Sequence, residues 1–276
     1  MTVAQPAVSM STKTNVCFPA VKVGPLRGSI SGHTHVGHVR DDNQDHLHID
    51  PRSRFAIVAD GMGGHDGGQL ASRVAADAVA DVIADALDDN GASIHDDVLL
   101  RAFQSARDAI EGEALRDQEL ASMGTTLVLG ALTGNGELVV AHMGDSRLYR
   151  LREGKLTCLT RDHNVLSELL HAGILNESQV ATNQRLAHLL TRALSPGCVA
   201  APDVARCSPE PGDLFLLCSD GLHGVVDDAE ITALLGRDVP SDEICDALIE
   251  AALEHGAPDN VTAVLIRVTA DGPQAH

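Results

Sequence analysis

Phe55-Ala56-Ile57-Val58-Ala59-Asp60-Gly61-Met62-Gly63-Gly64 reads as a buried strand that runs straight into a glycine turn. A carboxylate beside a glycine at a buried strand end is costly to keep unless a positive charge meets it. The arrangement recurs. Leu214-Phe215-Leu216-Leu217-Cys218 leads into Ser219-Asp220-Gly221, and Asp259-Asn260 comes just before the strand-like run Val261-Thr262-Ala263-Val264-Leu265-Ile266. Asn43-Gln44-Asp45 is a fourth short aspartate motif.

Outward from this stretch the periodicity changes. Leu70, Val74, Ala78 and Val82 recur at helical spacing over residues 69–88, and Val98, Leu99, Ala102, Phe103, Ala106 and Ile110 do so over 97–118. Two adjacent amphipathic helices are expected to cover one sheet face. Strands follow at Thr125–Ala131, Glu137–His142 and Arg147–Leu151, joined by the short links Thr133-Gly134-Asn135-Gly136 and Arg152-Glu153-Gly154-Lys155 that hairpins require. Residues 164–190 turn helical and polar, broken at Gly173, and two further strands enclose a helical pair near 228–236 and 242–255. Helices grouped between antiparallel hairpins predict an α+β fold rather than a doubly wound parallel sheet. Residues 1–28 read as a mobile N-terminal extension, 29–268 as one folded domain and 269–276 as a C-terminal tail.

Composition narrows the function. The 276 residues carry a formal net charge of −19, no Trp and one Tyr. Nucleic acid and anionic membranes call for Lys/Arg clusters, and single strands call for aromatic platforms, so both are excluded as partners. Residues 1–28 show no secretory leader, and no apolar run reaches bilayer length. The six Cys lack any Cys-x-x-Cys pair, which fits reduced thiols, most of them small core residues, in a cytoplasmic protein.

Several strand-end aspartates converging in space would form an oxygen-rich cage for a hard divalent ion, Mg²⁺ or Mn²⁺. Asp60 with the Gly61 carbonyl is the first candidate, and Asp220 and Asp259 add two more carboxylates. Two ions held close together acidify a shared water, which suits attack on phosphorus. Arg40, five residues before Asp45, offers the fork of donors that a phosphate fits. These residues point to a metal-dependent hydrolase of phosphate esters.

The ordered set of motifs makes the reading specific. Val39-Arg40-Asp41-Asp42-Asn43-Gln44-Asp45, Val58-Ala59-Asp60-Gly61-Met62-Gly63-Gly64-His65, Met123-Gly124-Thr125-Thr126, Gly144-Asp145-Ser146-Arg147, Thr160-Arg161-Asp162-His163, Thr191-Arg192-Ala193-Leu194, Leu217-Cys218-Ser219-Asp220-Gly221-Leu222 and Asp259-Asn260-Val261-Thr262 resemble the successive motifs of the bacterial type 2C, metal-dependent serine/threonine protein phosphatases. The resemblance spans residues 36–268. It implies a four-layer α-β-β-α sandwich of two antiparallel sheets flanked by helix pairs, with the metals in a cleft at one end. By the same resemblance Asp60 bridges two metals, Gly61 lends its carbonyl, and Asp220 and Asp259 are the remaining direct ligands. Asp45 would hold metal-bound waters, Asp145 a third, weaker metal, and Arg40 the phosphate. Residues 164–190 would be the flap beside the site.

Two positions depart from the family pattern. Met62 stands where many eukaryotic members carry a His proposed as general acid, and Met has no proton to give. His65 and His163 are near in sequence as substitutes, although each also reads as a satisfied structural histidine. Gln44 stands where many members have Glu, which removes one charge and leaves the direct carboxylates intact.

A competing metal reading comes from His33-Thr34-His35-Val36-Gly37-His38, which resembles the His-rich loop of dinuclear zinc hydrolases, and from His46-Leu47-His48, whose rings would share a strand face. Neither explains the aspartate turns. The expectation is therefore a monomeric, cytoplasmic phosphatase with two or three Mn²⁺ or Mg²⁺ ions. It acts on phosphoserine and phosphothreonine in proteins phosphorylated by a cognate Ser/Thr kinase. The alternative is a catalytically silent member that binds a phosphoprotein or kinase as a regulatory module.

Overall fold

A computed structural model describes residues 13–24, 26–90 and 93–271. Its strands form two sheets, both antiparallel. The first runs in the order β1 (Lys13–Val23), β2 (Leu26–His35), β12 (Val261–Ala270), β11 (Leu214–Cys218), β8 (Arg147–Arg152), β9 (Lys155–Cys158). The second runs β10 (Asp203–Cys207), β7 (Leu138–Met143), β6 (Leu127–Leu132), β4 (Phe55–Met62), β3 (Asp45–Ile49), with β5 (Gly124–Thr125) paired to β4 beyond the break at Thr126.

Strand geometry explains why β4, β11 and β12 are apolar without alternation. Phe55, Ile57 and Ala59 of β4 face one core, and Ala56 and Val58 face another. In β11, Leu214, Leu216 and Cys218 face outward to helices, while Phe215 and Leu217 face the opposite sheet. Successive side chains point to opposite faces, so a strand covered on both sides is apolar throughout. Each fully buried Leu, Ile or Phe contributes about 1.5–3 kcal/mol relative to exposure.

The outer layers are helical. α1 (His65–Asn90) and α2 (Asp96–Arg116) cover the second sheet through Ala71, Ala75, Val79, Ile83, Leu99, Phe103 and Ile110. α5 (Asp228–Leu235) and α6 (Ser241–Glu254), with the short α4 (Asp220–His223) before them, cover the first sheet through Ile231, Leu235, Ile244, Leu248 and Ile249. The result is the four-layer α-β-β-α sandwich. Between β9 and β10 lies the flap: α3 (Val165–His171) and two short 3-10 turns, closed at its base by the bridge between Asn164 and Leu190.

The structure corrects the N-terminal boundary. Residues 13–23 are not an extension but the edge strand β1, in register with β2 from Lys13↔His35 to Val23↔Leu26. Pro19 hides it in the sequence. It sits where the register shifts between Phe18 and Val21, a bulge on an edge strand, where a missing N–H does no harm. Residues 1–12 lie outside the described residues. At the other end β12 continues to Ala270, past the expected stop at Val268, and Asp271 pairs with Lys22 at 2.5 Å. Residues 272–276 are outside the described part. The six cysteines are free thiols, but only Cys218 and Cys245 are buried, so most are not core residues as expected.

Candidate metal centre

The β3–β4 ladder places Asp45 directly opposite Asp60. Asp60 is fixed through its main chain. Thr126 N–H and the Thr125 hydroxyl both donate to its carbonyl, at 2.9 and 2.8 Å, and its own N–H donates to Thr126 Oγ1 at 3.1 Å. Gly61 follows with no room for a side chain. A Cβ there would lie 2.1 Å from the Gly68 carbonyl oxygen, so only glycine lets the turn rest on the start of α1.

Asp220 opens α4 directly after β11. Gly221 packs on the main chain before β12, where a Cβ would meet the Asn260 carbonyl oxygen at 1.8 Å. Asn260 explains the Asp-Asn motif. Its amide donates to the carbonyls of Val36 and Asp42, at 2.8 and 3.0 Å, while its oxygen accepts from Gln44 N–H at 2.8 Å. It staples the loop that bears Arg40 to the loop that bears Asp259. Arg40 Nη2 donates to Asp259 Oδ2 at 2.7 Å.

Asp60, Gly61, Asp145, Asp220, Asp259 and Arg40 all line one cleft of about 610 Å³. The condition on which the metal reading depends, that distant acids meet, is therefore met. Asp60 and Asp220 lie within hydrogen-bonding reach of one another. Burial, then the neighbouring aspartates, holds the Asp60 carboxyl well above the usual carboxylate range, and burial followed by Asp259 also raises Asp220. Burial raises Asp145 to about 7, with Asp220 and Asp162 adding to it. Carboxylates that crowd each other this way cannot all ionise without a cation among them.

Asp45 does not line the cleft. Burial raises it to about 7, although Oδ2 accepts from Ser219 Oγ at 2.6 Å and Thr262 Oγ1 at 2.7 Å. Its Oδ1 is buried without a hydrogen-bond partner. An orphaned carboxylate oxygen beside a crowded acidic cage fits a site built for hard divalent ions and their waters.

The histidines fall differently from the sequence reading. His33 and His35 lie on β2, and His33 is buried against Asp246, with Nδ1 2.6 Å from its carboxylate. His46 and His48 lie on β3, where His48 faces Asp77 of α1 at 3.7 Å. Neither group forms a metal-type cluster among the described residues. His163 is wholly buried and does not line the cleft, so it is no substitute acid. The side chain of His65 lies outside the described atoms.

His188, in the flap, is the histidine that lines the cleft among the described residues. Sequence reasoning passed over it. The only available signal was its place in the flap, since no motif surrounds it. Ser219 and Thr262 were also missed as hydroxyls for Asp45, although both sit in the quoted motifs.

Comparison with known proteins agrees with this geometry. Residues 31–265 match the family model described as protein phosphatase 2C. The serine/threonine phosphatase stp of Listeria innocua is 32% identical over 231 residues, covering 84% of this chain and 91% of that protein. PstP of Mycobacterium tuberculosis is 36% identical over 236 residues, which make up 84% of this chain and 43% of that longer protein. A crystal structure of the PstP catalytic domain in complex with two manganese ions superposes with a TM-score of 0.76 at 34% identity, over 88% of this chain and 99% of that one. Sandwich, acidic cleft and sequence match agree: this chain belongs to the protein phosphatase 2C family.

Proposed function

We propose that this protein hydrolyses phosphoserine and phosphothreonine esters in proteins. Asp60, the Gly61 carbonyl, Asp220 and Asp259 would hold two Mn²⁺ or Mg²⁺ ions, and Asp145 a weaker third. The observation that carries the reading is the convergence of Asp60, Asp145, Asp220 and Asp259 on one cleft, where each raises the cost of ionising another. Bound there, such ions supply Lewis acidity and an acidified water.

The chain's own residues account for the rest. Arg40 stands at the rim, 53% exposed, with one guanidinium nitrogen on Asp259 and its other donors available to phosphate oxygens. Asp45 Oδ1, buried and without a partner, is set to accept from a water and so orient it. Met62 lines the cleft without a proton to offer, and His188 faces the same space from the flap. Its imidazole is the side chain placed to hand a proton to the leaving serine or threonine oxygen.

The net charge of −19 and the comparisons favour a phosphoprotein over a nucleic acid as substrate. No helix among the described residues is long and apolar enough to cross a membrane. A cytoplasmic monomer that opposes a cognate Ser/Thr kinase in signalling completes the proposal.

The test is hydrolysis of a phosphothreonine peptide with added Mn²⁺, with and without chelator, by the wild type and by Asp60→Asn. Activity that needs Mn²⁺ and disappears in Asp60→Asn is expected. A wild type inactive with Mn²⁺ would leave the protein a silent binding module, and activity retained in Asp60→Asn would remove the cage from the mechanism.

A further inference from the structure

Asp145 lies in the three-residue turn Gly144-Asp145-Ser146 between β7 and β8, and two histidines, His163 buried and His223 half-buried, grip it. At the start of the turn, Gly144 N–H donates to His163 Nδ1 at 3.1 Å, and the main-chain N–H of His163 donates to the Gly144 carbonyl at 3.0 Å. At its centre, His223 Nε2 lies 3.0 Å from the Asp145 carbonyl oxygen. Ser146 Oγ meets Thr126 Oγ1 at 2.7 Å on the far side, and Thr126 is also bonded to Asp60.

These contacts fix both rings. A main-chain N–H can only donate, so His163 Nδ1 carries no proton and the ring's proton sits on Nε2. Nε2 faces Asp203 Oδ2 at 3.3 Å. Asp203 is in turn held by Arg192, with bonds of 2.6 and 3.3 Å, and His142 stacks on the His163 ring at 4.5 Å between centroids. A carbonyl only accepts, so His223 Nε2 carries its proton toward Asp145. His223 ends α4, the element that Asp220 begins. One short helix thus ties the Asp220 carboxylate to the turn that carries Asp145.

His142, His163 and Asp203 bring ligand-type atoms within 4.8 Å of one another, the spacing of a metal site. Two facts exclude that use. The proton on His163 Nε2 occupies the position a metal would take, and Arg192 already meets the Asp203 charge. The group serves to pack and seat the His163 ring: Arg192 holds Asp203 beside Nε2, which makes no aligned hydrogen bond, and Nδ1 is the atom that takes the Gly144 amide.

We propose that His163 and His223 are positioning residues that hold the Gly144-Asp145 turn, so that the Asp145 carboxylate is presented to the third, weakest divalent ion. The proposal rests on the reading of Asp145 as that ion's ligand. Neither ring needs to touch substrate. His163 acts through the Gly144 main chain and His223 through the Asp145 carbonyl.

The test is calorimetric titration of the metal-stripped full chain with Mn²⁺ alone, resolving the weak class of site from the tight one. Asp145→Asn should abolish the weak class and spare the tight class. His163→Leu and His223→Leu should weaken the weak class about tenfold, as loss of a buried hydrogen bond predicts. His163→Asn keeps an acceptor where Nδ1 stood, and His223→Gln keeps a donor where Nε2 stood, so both should restore it to within about twofold. If a leucine variant does not fold, His163→Gln replaces it, because its amide reaches the Nε2 position and misses Gly144. Loss in Asp145→Asn without loss in the leucine or His163→Gln variants overturns the positioning role and leaves the Asp145 reading standing. An unchanged weak class in Asp145→Asn removes that reading, and the inference falls with it. Equal weakening by His163→Asn and His163→Gln, or of tight and weak sites together, also overturns it.

Discussion

Asp45→Asn should make the metal-stripped protein more stable and the Mn²⁺-loaded protein less so. Asp45 is 7% exposed, and its pKa is raised from 3.8 to about 7, first by burial. A carboxylate shifted this far is disfavoured by about 4 kcal/mol at pH 8 relative to an unperturbed one. Asparagine removes that penalty and keeps an oxygen for Ser219 and Thr262. Its amide nitrogen replaces the partnerless Oδ1 and adds buried donors that cost about 1–3 kcal/mol. The net gain is about 1–3 kcal/mol, or roughly 2–4 °C in Tm per kcal/mol for a chain of this size. The pH dependence reports the cause, Asp45 together with Asp60, whose carboxyl Asp45 helps to raise. A raised carboxylate pKa gives stability that is present below 3.8 and lost as pH rises through about 7, so the variant's advantage is largest at pH 8. It shrinks by about 1 kcal/mol between pH 8 and pH 6. Buried His142 and half-buried His223, both lowered to about 4 by desolvation, act in the opposite sense, with stability present above 6.5 and lost as pH falls toward 4. They are common to both proteins and cancel in the difference. Denaturant titration in chelator at pH 8, 7 and 6, repeated with Mn²⁺, provides the measurement. A variant less stable than wild type in chelator at pH 8, or an advantage that does not change with pH, would refute the reasoning.

Arg40→Ala should raise KM for a phosphothreonine peptide about tenfold through loss of charge-assisted phosphate bonds. Calorimetry should then show Mn²⁺ binding unchanged or up to about fivefold tighter, since an exposed ion pair no longer competes for Asp259; weaker Mn²⁺ binding would mean that Arg40 supports the metals rather than the phosphate. His188→Gln should lower kcat on the peptide about 100-fold, yet change kcat on p-nitrophenyl phosphate only a few-fold, because that leaving group needs no proton. Equal losses on both substrates would exclude His188 as the acid. Gly221→Ala should cost about 1–3 kcal/mol in denaturant and impair Mn²⁺ binding, since the new Cβ must push Asn260 and Asp259 aside. A stable variant with normal Mn²⁺ titration would show that this close approach is not required.

The parts of the molecule legible in the sequence are those whose signal is local. Helical spacing from Leu70 onward marks α1, though its start at His65 is earlier than the periodicity shows, because Gly67 and Gly68 carry no apolar signal. The aspartate turns are legible because an uninterrupted apolar run ends in Asp-Gly. β10 was not read at all. Asp203-Val204-Ala205-Arg206-Cys207 is a half-exposed edge strand paired only with β7, so it lacks the apolar density that betrays β11. The supports of the site were illegible for another reason. Ser219 and Thr262 reach Asp45 from 174 and 217 residues away, and His163 and His223 act on a turn formed by other strands. Nothing in the neighbourhood of a serine or histidine announces a partner that only the closed sandwich supplies.

That closure gives the cleft its place in the fold. Along most of its length the layer between the sheets is apolar, from Ile30 and Phe215 to Val264 and Ile266. At one end the same layer turns polar. Thr34 Oγ1 meets Thr262 Oγ1 at 2.8 Å, Asn43 donates to Thr34 at 2.9 Å, and Thr262 of the first sheet and Ser219, just past the end of its strand β11, both donate to Asp45 of the second. Hydroxyls suit this role because each donates to one oxygen and accepts from another donor, as Ser219 Oγ does from Thr262 N–H at 3.1 Å. The polar end therefore joins the sheets through satisfied hydrogen bonds while leaving one carboxylate oxygen of Asp45 free. Apolar residues in place of Thr34, Ser219 and Thr262 would pack the seam but strand both Asp45 oxygens, raising its cost further. The acidic cage is tolerated because the strain is confined to the strand ends, while the apolar layers on either side of both sheets carry the fold.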